Sequence, residues 1–193
     1  MQYSEGRLGR VFVLRIDDGE DFLAVTRDFI IDKRVQTGTL IFLGALRQGR
    51  MVTGPEELAI PPEPHYVMFE GGWEMVGIGT IYPGGDGPAI HYHASVGRAG
   101  HALTGCLREK AVTYIVAEVI LLEFTGLDIR RLPQETTGLV LPVHGTAGGT
   151  GKQPPVPAAE VPQGESAPAE KEDADEPGGL AEIIRDLTRR PRT

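Results

Sequence analysis

Short runs of β-branched and aromatic residues, broken by glycine and proline, set the pattern of the first 144 residues. In Arg10–Ile16, Phe12, Leu14 and Ile16 fall on one strand face and Val11 and Val13 on the other, so both faces are expected to be at least partly covered. The apolar spacing then changes from two to three and four. Phe22, Val25, Phe29 and Ile30 form a helical stripe, with Asp18 as the expected N-cap and the acids of Asp17–Asp21 at the positive helix end. Cation binding by this acidic turn is the less favoured reading. Thr39–Leu46 predicts a strand, Arg47–Arg50 a turn and Met51–Thr53 a short return strand. Pro55, Pro61, Pro62 and Pro64 mark 54–64 as loop. Tyr66–Glu70 and Trp73–Tyr82 predict two strands separated by a turn at Gly71-Gly72. In the second of these, Gly77 and Gly79 leave one face open to a close neighbour or a pocket. Pro83–Pro88 reads as a tight turn leading into a strand over Ala89–Val96, so that the flanking strands form a hairpin.

The remainder of this region is also extended. Cys106–Val112 and Thr113–Phe124 predict strands, the latter holding the longest apolar run of the chain. A helix is the alternative there, but valine and isoleucine in its first half favour a strand. Leu127–Leu132 predicts a short strand, and Leu139–Val143 a segment covering an edge. The expected fold is α/β in the broad (α+β) sense: a mostly antiparallel mixed sheet with flanking helices.

The pattern stops near residue 144. From Gly145 to Gly179 there is no Leu, Ile, Phe, Tyr or Trp, while proline, glycine and acids abound. Such a segment cannot bury enough apolar surface to offset chain entropy and is expected to be disordered. Leu180, Ile183, Ile184 and Leu187 then return at helical spacing. The expected organisation is a folded domain over 1–144, a linker over 145–179 and a short amphipathic helix over 180–193. That helix is of marginal length alone and either docks or stays unstructured.

Composition narrows the function. The net charge of −8 opposes binding to a phosphate backbone. No apolar run approaches the roughly 18 residues of a membrane span. The N-terminus lacks a signal-peptide pattern and the one cysteine permits no internal disulfide, so a cytoplasmic protein is expected.

Chemistry concentrates in Pro88–Cys106, which holds three of the five histidines and the only cysteine. On a strand, His91 and His93 share a face about 6–7 Å apart, close enough for two imidazoles to meet one metal. Gly97 and Gly100 allow the chain to turn and bring His101 back. Three histidines and a water suit zinc, although imidazole also serves nickel, copper and iron. Two solvated surface histidines are the plain alternative. Cys106 is read as buried core in preference to fourth ligand or nucleophile. Ser95 shares the face of His93 but has no assignable base. His65 and His144 are read as structural or surface residues. Glu118, an acid inside an apolar run, either faces the site as base, braces a histidine from behind, or pairs with Arg98 or Arg108.

Gly9–Arg15, Gly19-Glu20-Asp21, Ile90–Ser95, Gly100–Cys106 and Glu118-Val119-Ile120 together resemble the PPC domain, also called DUF296, the plant and prokaryote conserved domain. The resemblance spans roughly Tyr3 to Leu132. It implies a compact α/β domain assembling as a homotrimer, with His91, His93 and His101 as ligands of a divalent metal ion, zinc foremost. Members often carry a glycine pair before the third histidine and a leucine after it. Here the order is Ala99-Gly100-His101-Ala102-Leu103. Plant members bind DNA through AT-hooks, and this chain has no Arg-Gly-Arg-Pro core.

The expected function is a metal-containing homotrimeric binding or regulatory module with a small-molecule or protein partner. The alternatives are a metal-dependent hydrolase or lyase that activates water, with Glu118 nearby, and a DNA-binding or DNA-associated regulator that the acidic charge disfavours.

Overall fold

The computed structural model describes residues 1–55 and 57–145 of the 193-residue chain. Both tail segments expected beyond residue 145, apart from Gly145 itself, lie outside the described residues. The elements run β1 (Arg7–Asp17), α1 (Phe22–Asp32), β2 (Gly38–Thr53), β3 (His65–Pro83), β4 (Pro88–Arg98), β5 (His101–Thr125), β6 (Ile129–Gln134) and β7 (Leu139–His144). The main sheet has the order β1-β5-β2-β3-β4, with every pairing antiparallel. β5 also pairs with β4. It can do so because its 25 residues are long enough to serve three neighbours. Residues 116–125 of β5 pair with β1, its middle pairs with β2, and its first residues pair with β4. Strands β5, β2, β3 and β4 therefore close into a ring.

Irregularities let the long strands curve. Along β5, Glu109 (φ 62°) and Ile115 (φ 63°) lie in the left-handed region, where the register with β2 shifts. The turns expected at Arg47–Arg50 and Gly71-Gly72 do not form. β2 continues through the first with a register shift between Leu46 and Gln48, and β3 runs unbroken through the second. Glycine-rich and polar stretches read as turns are here absorbed as bulges, because the paired strand resumes on either side of each of them.

One helix is described where flanking helices were expected. Its N-cap is Asp21, which accepts from the Leu23 and Ala24 amides at 3.0 and 3.1 Å. Asp18 instead accepts from the Ile115 amide at 2.8 Å and pairs with Arg47, tying the β1 exit to β5. The helix buries Phe22, Thr26 and Ile30 against the inward sheet face. Phe22 meets Phe42 of β2 at 4.8 Å and Tyr92 of β4 at 5.9 Å between ring centroids.

Gly77 and Gly79 serve close approach. A Cβ at Gly77 would lie 2.5 Å from the Phe42 ring, and one at Gly79 would lie 2.9 Å from Leu40. The last two strands, β6 and β7, pair only with each other and form a separate two-stranded ribbon.

The outward sheet face is apolar over a wide area. One cross-strand row runs Val13, Ile120, Ile41, Ile78, His93 and Cys106 in register. Its four aliphatic members are 45–79 % exposed, and Leu43 and Val76 beside them are 54 and 60 % exposed. No helix among the described residues is long and apolar enough to cross a membrane.

Candidate metal centre

The period of two along β4 divides its residues between two tasks. Tyr92 points inward, and its hydroxyl shares a 2.7 Å hydrogen bond with Thr26 Oγ1 of α1. Burial, the main cause, pushes the Tyr92 phenol up to about 12, so it stays protonated. With Tyr92 held at both ring and hydroxyl, the flanking His91 and His93 are fixed on the outward side. Their rings stand 4.9 Å apart between centroids and nearly perpendicular at 81°.

The third member arrives from β5. Ala99 (φ 50°) and Gly100 (φ 83°) form a two-residue turn with both dihedrals positive, the geometry that suits a tight hairpin. The turn sets Arg98 opposite His101 and, five steps on, His93 opposite Cys106. Cys106 is also the partner of Val52 on β2, so it sits where the ring of strands closes. A Cβ at Gly105 would clash with the Val52 backbone, so the strands meet closely beside the thiol.

Cys106 Sγ lies 2.9 Å from His93 Nε2 and 3.1 Å from His91 Nε2. The ligand atoms of His91, His93 and Cys106 all lie within 4.8 Å of one another. In a tetrahedral zinc site with Zn–S of about 2.3 Å and Zn–N of about 2.0–2.1 Å, ligand atoms are separated by about 3.5 Å. The two sulfur–nitrogen distances need to open by only about half an ångström to admit such an ion. The residues therefore fit a metal, which would be held by two imidazoles and a thiolate, with His93 the exposed member of the three. His91 is half-buried, and its pKa is lowered to about 4, first by burial and then by Arg131, Arg108 and His93. It is thus neutral near pH 7, the form that ligates.

The other sequence-derived candidates fall elsewhere. His101 is exposed at the hairpin tip, five residues or about 16 Å of strand from Cys106. It is not in the cluster formed within the chain. Cys106, read from sequence as core, belongs to that cluster. Glu118 is exposed opposite Arg15 and Leu43, with β2 and β3 between it and the histidines, and it braces neither of them. The expected pairing with Arg98 is also absent, since Arg98 donates to the Glu70 carbonyl at 3.1 Å. Ser95 accepts from Thr104 Oγ1 at 3.1 Å. His144 Nδ1 meets Ser4 Oγ at 3.0 Å.

Residues 3–125 match the family of the Plants and Prokaryotes Conserved (PCC) domain. The chain belongs to this family. A solved PPC protein of Pyrococcus horikoshii is 27 % identical over 73 % of this chain and 96 % of its own, with a TM-score of 0.62. A metal-containing protein of Archaeoglobus fulgidus is 24 % identical over 75 % of this chain and 100 % of its own, with a TM-score of 0.65. A protein of Bacteroides thetaiotaomicron, provisionally described as DNA binding, is 18 % identical over 72 % of this chain and 97 % of its own, with a TM-score of 0.59. No curated protein matches the chain.

In the resemblance a glycine pair precedes the third histidine, and Ala99-Gly100-His101 keeps the second of those glycines. His101 is followed by Ala102. Within the described residues of this PCC domain it is the Cys106 thiol that meets His91 and His93. The signal that finds it is the hairpin: once the turn is centred on Ala99-Gly100, opposed residues sum to 199, and His93 must face Cys106.

Proposed function

We propose that the chain is a metal-containing binding or regulatory module, working as a homotrimer, in which His91, His93 and Cys106 hold a divalent metal ion. The convergence of these three side chains carries the reading. Two imidazoles with one thiolate favour a borderline-soft ion, and zinc suits both the donor set and a fourth position left for ligand. The metal content of the A. fulgidus protein, which has the same fold, supports the reading. The open position also suits activation of water. Binding ranks ahead of catalysis because, among the described residues, the cluster includes no carboxylate to act as base. DNA association ranks last on the net charge of −8.

The trimer is supported by the outward face. The row Val13, Ile120, Ile41 and Ile78, widened by Leu43 and Val76, is a contiguous aliphatic surface of the kind that marks association between proteins. A second and third copy of the chain would remove it from water.

Elemental analysis of the purified, untagged full chain tests the centre, alongside the variant His91→Ala/His93→Ala. About one metal per chain, lost in the double variant, is expected. A chain that stays metal-free after reconstitution refutes the centre. Sedimentation equilibrium tests the assembly, and a monomer at tens of micromolar refutes the trimer.

A further inference from the structure

A ligating imidazole ordinarily has a carboxylate, a carbonyl or water behind it. Here two guanidinium groups, those of Arg131 and Arg108, are placed beside the cluster instead. Their placement follows from the strands. Thr80 of β3 is the direct partner of His91, and Arg131 Nη2 donates to Thr80 Oγ1 at 3.0 Å. Arg108 follows Cys106 by two along β5. The two share a partly exposed side, with buried Leu107 between them pointing inward.

Neither arginine is neutralised. Among the described residues the ion pairs engage Arg10, Arg15, Lys33, Arg47 and Arg50, and leave Arg108 and Arg131 out. Arg131 Nε is buried without a hydrogen-bond partner. An orphaned buried donor is rare enough to require an explanation, and an absent ion is one of the usual ones. A divalent metal sharpens the imbalance. The thiolate offsets one of its two charges, leaving a positive centre beside two positive groups. Like charges gathered in one neighbourhood disfavour one another, and an anion among them relieves this. A guanidinium fork is matched to carboxylate and phosphate oxygens.

Resting on the metal reading above, we propose that the open position of the centre takes an oxyanion, the carboxylate or phosphate group of a small molecule, held between the metal, Arg108 and Arg131. Arg131 comes from the β6–β7 ribbon, beyond residues 3–125 matched by the family. The selectivity is thus partly supplied by a segment outside the conserved domain.

Zinc-loaded full chain, its metal content first measured by elemental analysis, is titrated calorimetrically with inorganic phosphate and with oxalate. Arg108→Gln and Arg131→Gln are titrated in parallel, and cobalt-loaded protein reports the same events in its visible spectrum. Saturable binding of at least one probe is expected, weakened at least tenfold in each variant while the metal stays at about one per chain. Arg108→Gln lies off the ribbon and keeps the test decisive if Arg131→Gln disturbs β6. A metal-loaded chain that ignores both probes, or variants that bind them as the parent does, overturn the oxyanion site and leave the metal centre standing. A chain that takes no metal sinks both.

Discussion

Replacing Cys106 by serine separates the two ligand sets that the sequence allows. The substitution is nearly isosteric and leaves the hairpin, with Gly105 close against Val52, unaltered. It removes the one sulfur within 3.1 Å of both imidazole Nε2 atoms. Zinc binding by four protein ligands is worth roughly 10–16 kcal/mol in small structural sites, about 3–4 kcal/mol per ligand. At about 1.4 kcal/mol per factor of ten, loss of the thiolate weakens binding by about 10²–10³-fold. A chelator-competition titration reads this directly, and cobalt-loaded protein adds a signature, since a thiolate-to-cobalt charge-transfer band in the parent should vanish in Cys106→Ser. His101→Ala is the counterpart. With its ring about 16 Å of strand away, it should leave affinity within about threefold. If His101→Ala costs as much as Cys106→Ser, the third ligand is His101, and the chain must recruit it by an arrangement other than the one seen here. If neither variant changes affinity, the cluster is not the site.

Three further outcomes follow from the same geometry. Gly77→Ala places a methyl 2.5 Å from the Phe42 ring and against the His93 carbonyl. It should destabilise the chain by roughly 1–3 kcal/mol in urea unfolding and weaken the metal site with it, whereas an unchanged midpoint would mean that β2 and β3 are free to part. The stability of metal-free protein should fall as pH drops from about 6.5 to about 4 and be flat with respect to this group above that window. Across it, the unfolded chain takes a proton that folded His91, lowered to about 4, refuses. After discounting for half exposure the effect is about 1 kcal/mol, and His91→Gln should remove it. Ile78→Asp, between Ile41 and His93 on the outward face, should dissociate the assembly in sedimentation while leaving the monomer's unfolding midpoint within the equivalent of about 1 kcal/mol. A variant that stays oligomeric places the interface elsewhere.

The strands of this chain were largely legible because β-branched runs and hairpin turns are local signals. Arg10–Ile16, Ala89–Val96 and the Pro83–Pro88 turn all appear where the pattern puts them. What failed depends on partners distant in sequence. Gly71-Gly72 and Arg47–Arg50 read as turns in isolation, yet the first is a bulge within β3 and the second lies in β2 between β3 and β5, and pairing outweighs local preference. Asp18 satisfied every local rule for an N-cap, but the Ile115 amide and Arg47, reached only through the fold, claim its carboxylate. The two histidines of the site were visible from the period of two. Cys106 was read as core because a cysteine beside leucine in an apolar strand is usually buried, whereas it is partly exposed and clusters with both histidines. Its role depends on hairpin register, and counting outward from the turn at Ala99-Gly100 would have given it.

The arrangement of β4 explains how three potential metal ligands are held together on an otherwise aliphatic surface. Two imidazoles on a solvated strand lose side-chain freedom when they converge, and nothing on the outward face repays that loss before a metal arrives. Here the restraint is provided from behind. Tyr92 is packed against Phe22 and Phe42 and bonded to Thr26, so the peptide between the histidines is fixed by the core rather than by the ligands. Gly77 and Gly79 on β3 make that packing feasible by leaving room for Phe42, Leu40 and the Tyr92 ring. The thiol is fixed in the same way, by the closure of the strand ring at Cys106 between Val52 and His93. The core thus holds the donors in place beforehand, and little of the metal's binding energy is consumed in ordering them. A metal bound to donors held in this way would stabilise the folded chain by an amount that grows with metal concentration.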